Sequence, residues 1–293
     1  MTGLRTTARQ RLAAALGISA TIVVAEVAGG IVSHSLALLA DAGHALTDFA
    51  ALLLSYIAVR FAERSASPRH TFGLYRAEIL AAFINAQVLL VACGAILYES
   101  YRRIARPEAV HPLPMLLFGA FALVANGISL RFLHSHRESS LNLKGAYLEV
   151  ASDTLASAAV IAGAAVIAKT GFQWVDPALS AAIALFILPR TVSLLRQSAH
   201  ILLEGAPSDI DQADLRGLLC RLPGVLSIHD LHLWTLTSGV HYASLHVAIS
   251  PDADAPEVLL RVQDCLRREK SIDHATIQIE VCETSECDPA PTH

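Results

Sequence analysis

The chain has 293 residues and a formal net charge of −4, with 54% hydrophobic and 16% charged residues. Soluble domains average about 45–50% and about 25%, so the composition argues against an ordinary soluble protein. The acidic balance from Pro207 onward argues against nucleic acid as a partner, and the five cysteines form no secreted disulfide framework.

The apolar excess lies in the first two thirds, which predicts a polytopic membrane domain followed by a soluble tail. Arg5, Arg9 and Arg11 precede a first span, roughly Leu12–Val32, with Glu26 inside it and Gly29–Gly30 permitting close helix approach. That run is too long for a signal peptide and has no clear cleavage site. The second span is Ser35–Arg60. A basic loop, Glu63–Arg76, contains His70. The third span is about Ala77–Ile104 and the fourth about Met115–Leu133. The fifth is Gly145–Ala168. The sixth starts near Trp174, with Asp176 and Pro177 read as its cap and first-turn pair. An even number of spans puts both ends on one side. Most Arg and Lys, among them Arg5, Arg9, Arg64, Arg69, Arg137, Lys144 and Arg196, fall in loops of one set, which the positive-inside rule places in the cytoplasm. The cluster Arg102, Arg103 and Arg106 runs against it.

Two spans carry charges that a bilayer penalises by roughly 2.5–3.5 kcal/mol each. In the second, Asp41, His44 and Asp48 lie near one helix face. In the fifth, Glu149 and Asp153 are one turn apart. Three carboxylates and an imidazole do not neutralise one another, whereas a divalent cation satisfies His44, Asp48, Glu149 and Asp153 together. Asp41 reads as a residue that positions His44 or packs the helix rather than binding the ion.

The tail reads as αββαβ: a helix over Asp209–Arg221, strands over Val225–Thr235 and Val240–Ile249 joined across Ser238–Gly239, a helix over Pro256–Lys270 and a strand over Ala275–Val281. This order fits a small open sheet with helices on one face. The predicted boundaries are 1–205 for the six-helix transmembrane domain and 206–293 for the cytoplasmic α+β domain. Donor side chains recur in the tail: His229, His232, His241, His246, His274, Glu280, Cys282 and Cys287. For Cys282 and Cys287, metal binding and inert reduced thiols both stay open.

SLALLADAGHALTD, GAYLEVASD, WVDPALS, LLEGAP, VLSIHDLHLWTLTSG and HATIQIE, in that order, resemble the cation diffusion facilitator family, and within it the bacterial cobalt–zinc–cadmium resistance branch. The resemblance implies a homodimeric divalent-metal/proton antiporter in the cell's inner (plasma) membrane. On that resemblance it is expected not to be an enzyme, and its metal is cargo, Zn²⁺ first with Co²⁺, Cd²⁺, Ni²⁺, Mn²⁺ or Fe²⁺ as alternatives. It further implies a metallochaperone-like tail that binds metal and aids dimerisation. His44 and Asp48 fall on the family's second-span ligands. Glu149 and Asp153 fall on the fifth-span pair, where histidine is commoner than Glu149. A loop site would keep only His70. A tail site would keep His229 and His246, with Gln278 and Glu280 standing where histidine and aspartate are usual. Other classes are a membrane metal sensor and an intramembrane metallohydrolase. No signalling signature supports the first, and the absence of a His-Glu-x-x-His motif opposes the second.

Overall fold

Six long helices precede a small sheet domain in the computed structural model, which describes residues 2–62, 68, 70–134, 141–237 and 239–282. The side chains of residues 2–15, 51, 52, 54–62, 132–134, 141–146, 148 and 149 lie outside that description. The helices are α1 (Thr2–Ser33), α2 (Leu36–Ala62), α3 (Arg76–Ala105), α4 (Pro112–His134), α5 (Leu141–Thr170) and α6 (Val175–Leu202). Among the described residues, segments long and apolar enough to cross a bilayer lie in α1, α3, α4, α5 and α6. The 27 residues of α2 rise about 40 Å, also enough for a hydrocarbon core of about 30 Å. The chain is an α-helical membrane protein with six transmembrane helices and a C-terminal α+β domain. It divides into two compact units, one made of 1–65 and 81–196, the other of 66–80 and 197–293.

In the helical unit, small residues set the approach of α1. A side chain at Gly29 would strike Phe118 of α4, and one at Gly30 would strike Leu39 of α2. Asp176 corrects the reading of the sixth span. The helix begins at Val175, so Asp176 lies inside its first turn. Its carboxylate caps α2 instead, accepting the backbone N–H of Leu36 at 2.8 Å and of Ala37 at 3.2 Å, and the Ser35 hydroxyl. These N–H groups have no partner inside α2 itself, and the negative charge suits that helix end. A capping acid therefore served a helix far away in sequence. The start of the second span is fixed by α6.

In the second unit, α7 (Gln212–Leu219), β1 (Val225–Thr237), β2 (Val240–Ile249), α8 (Ala255–Lys270) and β3 (His274–Val281) follow. The helix start is set by Asp211, whose carboxylate accepts from Ala213 N–H at 2.7 Å and Asp214 N–H at 3.2 Å. The sheet runs β1-β2-β3, antiparallel and then parallel, with α8 as the crossover. On β2, Ala243, Leu245, Val247 and Ile249 point into the core, where Leu215 and Leu219 of α7 and Val258, Val262 and Leu266 of α8 meet them. The spacing of the α8 residues, one turn apart, supplies its apolar stripe. The alternate positions on β2, including His246, fall on the opposite face.

Candidate metal sites

The first cluster joins α2 to α5. A nitrogen of His44, an oxygen of Asp48 and an oxygen of Asp153 all lie within 4.8 Å of one another. His44 and Asp48 share a face because they are one turn apart on α2. His44 Nε2 stands 3.1 Å from Asp153 Oδ1, and His44 is buried. Apart from this imidazole contact, that carboxylate oxygen is buried with no hydrogen-bond partner among the described residues. Such an orphaned acceptor in an apolar bundle calls for a cation. Tetrahedral Zn²⁺ with bonds of about 2.0 Å needs donors about 3.3 Å apart, so the three donors are near binding distance. Glu149, the predicted fourth donor, lies outside the residues with described side chains; it sits one turn before Asp153 on α5.

Asp41 is buried in the same bundle, and its described hydrogen bond comes from Ser157 on α5, at 3.4 Å. Ser157 in turn accepts from Asn126 of α4 at 3.5 Å. The contact runs to α5 one turn beyond Asp153, so it ties the two ligand-bearing helices together. Glu26 is more buried than its sequence context suggested: it is 2% exposed, and its Oε2 has no hydrogen-bond partner among the described residues. Gly30 faces Leu39, so antiparallel pairing places Glu26, one turn earlier, level with Gly43 beside the ligand turn.

The second cluster lies on the open face of the tail sheet. His229 and His246 are register partners across β1 and β2. Glu280 on β3 links them, with Oε2 3.0 Å from His229 Nε2 and Oε1 2.9 Å from His246 Nδ1. Their donor atoms also lie within 4.8 Å of one another. Gln278, the register partner of His246, donates its amide to Glu280 Oε1 at 2.8 Å. The other tail histidines stand elsewhere. His241 pairs with Thr235 Oγ1 at 3.1 Å, and His274 stacks on Tyr242 with centroids 4.8 Å apart. His232 is exposed, with Nε2 2.9 Å from Asp230 Oδ1. His70 is exposed and joins neither cluster. Cys282 is disulfide-bonded. Cys287 lies outside the described residues. Sequence reasoning passed over Asp230, although its place between two histidines was a usable signal.

Residues 12–203 match the cation efflux transmembrane domain family, and residues 207–282 match the cytoplasmic domain of cation efflux proteins. The chain belongs to the cation efflux family. A relative named metal cation efflux system protein CzcD, from Cupriavidus metallidurans, is 45% identical over 280 residues, covering 94% of this chain and 88% of its own. Zinc transporter ZitB of Pectobacterium atrosepticum is 41% identical over 282 residues, covering 95% and 88%. A Bacillus velezensis protein named cadmium, cobalt and zinc/H(+)-K(+) antiporter is 36% identical over 263 residues, covering 88% and 84%. The resemblance drawn from the sequence motifs is thereby established at family level. The cation efflux family is a family of transporters.

Proposed function

We propose that this cation efflux protein exports divalent metal ions, Zn²⁺ foremost, from the cytoplasm in exchange for protons. The observation that carries this reading is the meeting of His44, Asp48 and Asp153 between two membrane helices, with Asp153 Oδ1, beyond its His44 contact, left without a hydrogen-bond partner among the described residues. The sequence offers Glu149, one turn before Asp153 on α5, as the fourth donor of this reading. Imidazole plus carboxylate suits Zn²⁺, and an oxygen-rich set also accepts Co²⁺ and Cd²⁺. Relatives named for zinc, cobalt and cadmium support that range. Metal and protons compete for the same donor atoms, so binding one expels the other, and this competition couples the two flows. Alternating exposure of the site comes from rocking one group of helices against the rest.

Residues 1–205 form the transport domain. Residues 206–293 form a cytoplasmic domain that binds metal through His229, His246 and Glu280 and supports a homodimer. Both termini face the cytoplasm, an orientation that the basic loops support, and the membrane is the inner (plasma) membrane. The test is Zn²⁺ uptake into liposomes carrying the purified protein under an imposed pH gradient. Uptake that collapses with the gradient is the expected result; no uptake of any divalent ion overturns the reading.

A further inference from the structure

The tail cluster contains one carboxylate that its metal reading leaves unused. Strand β1 pairs His229 with His246 and then His232 with Ser244, so β1 has one residue more than β2 between those pairs. This is a β-bulge, and its first residue, Asp230, has φ +49°. That bulge position usually belongs to glycine, because a side chain in the left-handed region is strained. Aspartate is tolerated there at a cost, and such costs gather at functional positions. The bulge sends Leu231 to pack against the core of the tail unit. The Asp230 carboxylate reaches the histidines. Its Oδ1 is 2.9 Å from His232 Nε2, and its Oδ2 is 3.6 Å from His246 Nε2. An adjustment of about half an ångström makes the second contact a hydrogen bond. The other ring nitrogen of His246, Nδ1, already faces Glu280 at 2.9 Å.

From this geometry we infer that Asp230 is a positioning residue of the tail metal site. It accepts the Nε2–H of His246, which selects the tautomer whose Nδ1 lone pair faces the ion held with His229 and Glu280. His232 steadies the other oxygen of Asp230, Oδ1. Gln278 does for Glu280 what Asp230 does for His246, by donating to Oε1 at 2.8 Å. The site therefore takes one divalent ion, with three protein donors and two orienting neighbours. Hydrogen-bonded partners of this kind raise the basicity of a ligating imidazole and hold its ring, and their loss typically weakens metal affinity 10–100-fold. The inference rests on the reading of His229, His246 and Glu280 as a metal site.

The glycine preference of the bulge supplies a clean variant. Asp230→Gly keeps the left-handed backbone and removes only the carboxylate, whereas Asp230→Asn keeps an acceptor oxygen. The experiment uses the full chain in detergent with Asp153→Ala throughout, which silences the membrane cluster. Zn²⁺ affinity and stoichiometry are read by competition with a chromophoric chelator, and ligand geometry by the visible absorption of bound Co²⁺. Asp230→Gly is expected to lose 10–100-fold in Zn²⁺ affinity at unchanged stoichiometry, with a weakened Co²⁺ band and an unfolding temperature no lower than the parent's. Asp230→Asn is expected to recover much of the loss. Parent-like affinity in Asp230→Gly overturns the inference, and so does a parent that binds two ions and falls to one in Asp230→Gly, which would make Asp230 a ligand of a second ion. His229→Ala separates the two readings: if it also leaves binding unchanged, the tail site itself is wrong.

Discussion

The two donor clusters use the same chemistry in opposite settings. In the membrane unit, His44 is 7% exposed and an oxygen of Asp153 is buried with no hydrogen-bond partner beyond its His44 contact among the described residues. In the tail, the side chains of His229, His246 and Glu280 are 19–27% exposed, and each carboxylate oxygen of Glu280 has a near neighbour. An under-satisfied site in low dielectric gains most from an ion and reacts most to a proton, as a carrier requires. A satisfied site near water holds its shape with or without an ion, as a sensor or anchor requires. On the proposed reading, the cargo site is the more deeply buried of the two and the tail site the more exposed.

The largest effect expected within this contrast is at Asp48. Asp48→Ala removes one donor of the carrier site and should lower Zn²⁺ uptake into liposomes more than about 100-fold, since an ion site missing a ligand loses both affinity and geometry. Uptake within tenfold of the parent would remove Asp48 from the site.

Next comes the frame of the carrier site. Asp176→Ala strands the N–H groups of Leu36 and Ala37 and the Ser35 hydroxyl in a buried place. Each orphaned group costs about 1–3 kcal/mol. The unfolding temperature in detergent should fall by several degrees and uptake should fall with it, because Asp41, His44 and Asp48 ride on the helix that Asp176 caps. An unchanged unfolding temperature would show that the cap does no structural work.

Much of this was legible in the sequence for plain reasons. Charged residues in apolar runs are conspicuous, and one-turn spacing on α2 placed His44 and Asp48 on one face before any coordinates. The alternation of β2 and β3 gave the sheet's two faces. What stayed hidden depended on contacts between distant segments. Asp176 looked like the cap of its own helix because local spacing says nothing of Ser35. The burial of Glu26 depends on Gly30 meeting Leu39. Asp230 was obscured by the bulge, which shifts the side-chain alternation by one residue and so defeats a period of two. The bonding of Cys282 is a pairing that spacing alone does not assign.

A more graded effect is expected at Glu149. Glu149→His exchanges a hard oxygen for a nitrogen in the carrier site and should keep Zn²⁺ uptake while lowering Co²⁺ or Cd²⁺ uptake relative to it by several-fold. Uptake of the three metals in parallel at several pH values checks this, and unchanged ratios would free Glu149 of any selective role.

The smallest effect belongs to the tail's exposed surface. Lys270 Nζ lies 2.7 Å from Asp214 Oδ2. Its hydrogen bond and charge hold the Asp214 carboxyl below the usual carboxylate range, and Asp214 holds the Lys270 ammonium above its usual range. The depressed acid contributes stability above its unfolded value, about 3.9, and loses it as pH falls through the lower folded value. The raised base contributes below about 10.4 and loses it as pH rises through the higher folded value. Both groups face water, so salt screens the pair. Asp214→Asn should move the unfolding temperature by about 1 °C or less at neutral pH, and high salt should erase the difference. A large or salt-independent shift would show that Asp214 has a second role.

The division of labour between the two clusters is tested most directly by comparing Zn²⁺ uptake by Asp153→Ala with that by the double variant His229→Ala, Glu280→Ala. Both are measured in liposomes under the same pH gradient. The account predicts no uptake above empty liposomes for Asp153→Ala, and uptake reduced only about two- to fivefold in the tail variant, with the order of metal preference unchanged. Parent-rate uptake by Asp153→Ala, or an altered metal preference in the tail variant, would contradict it.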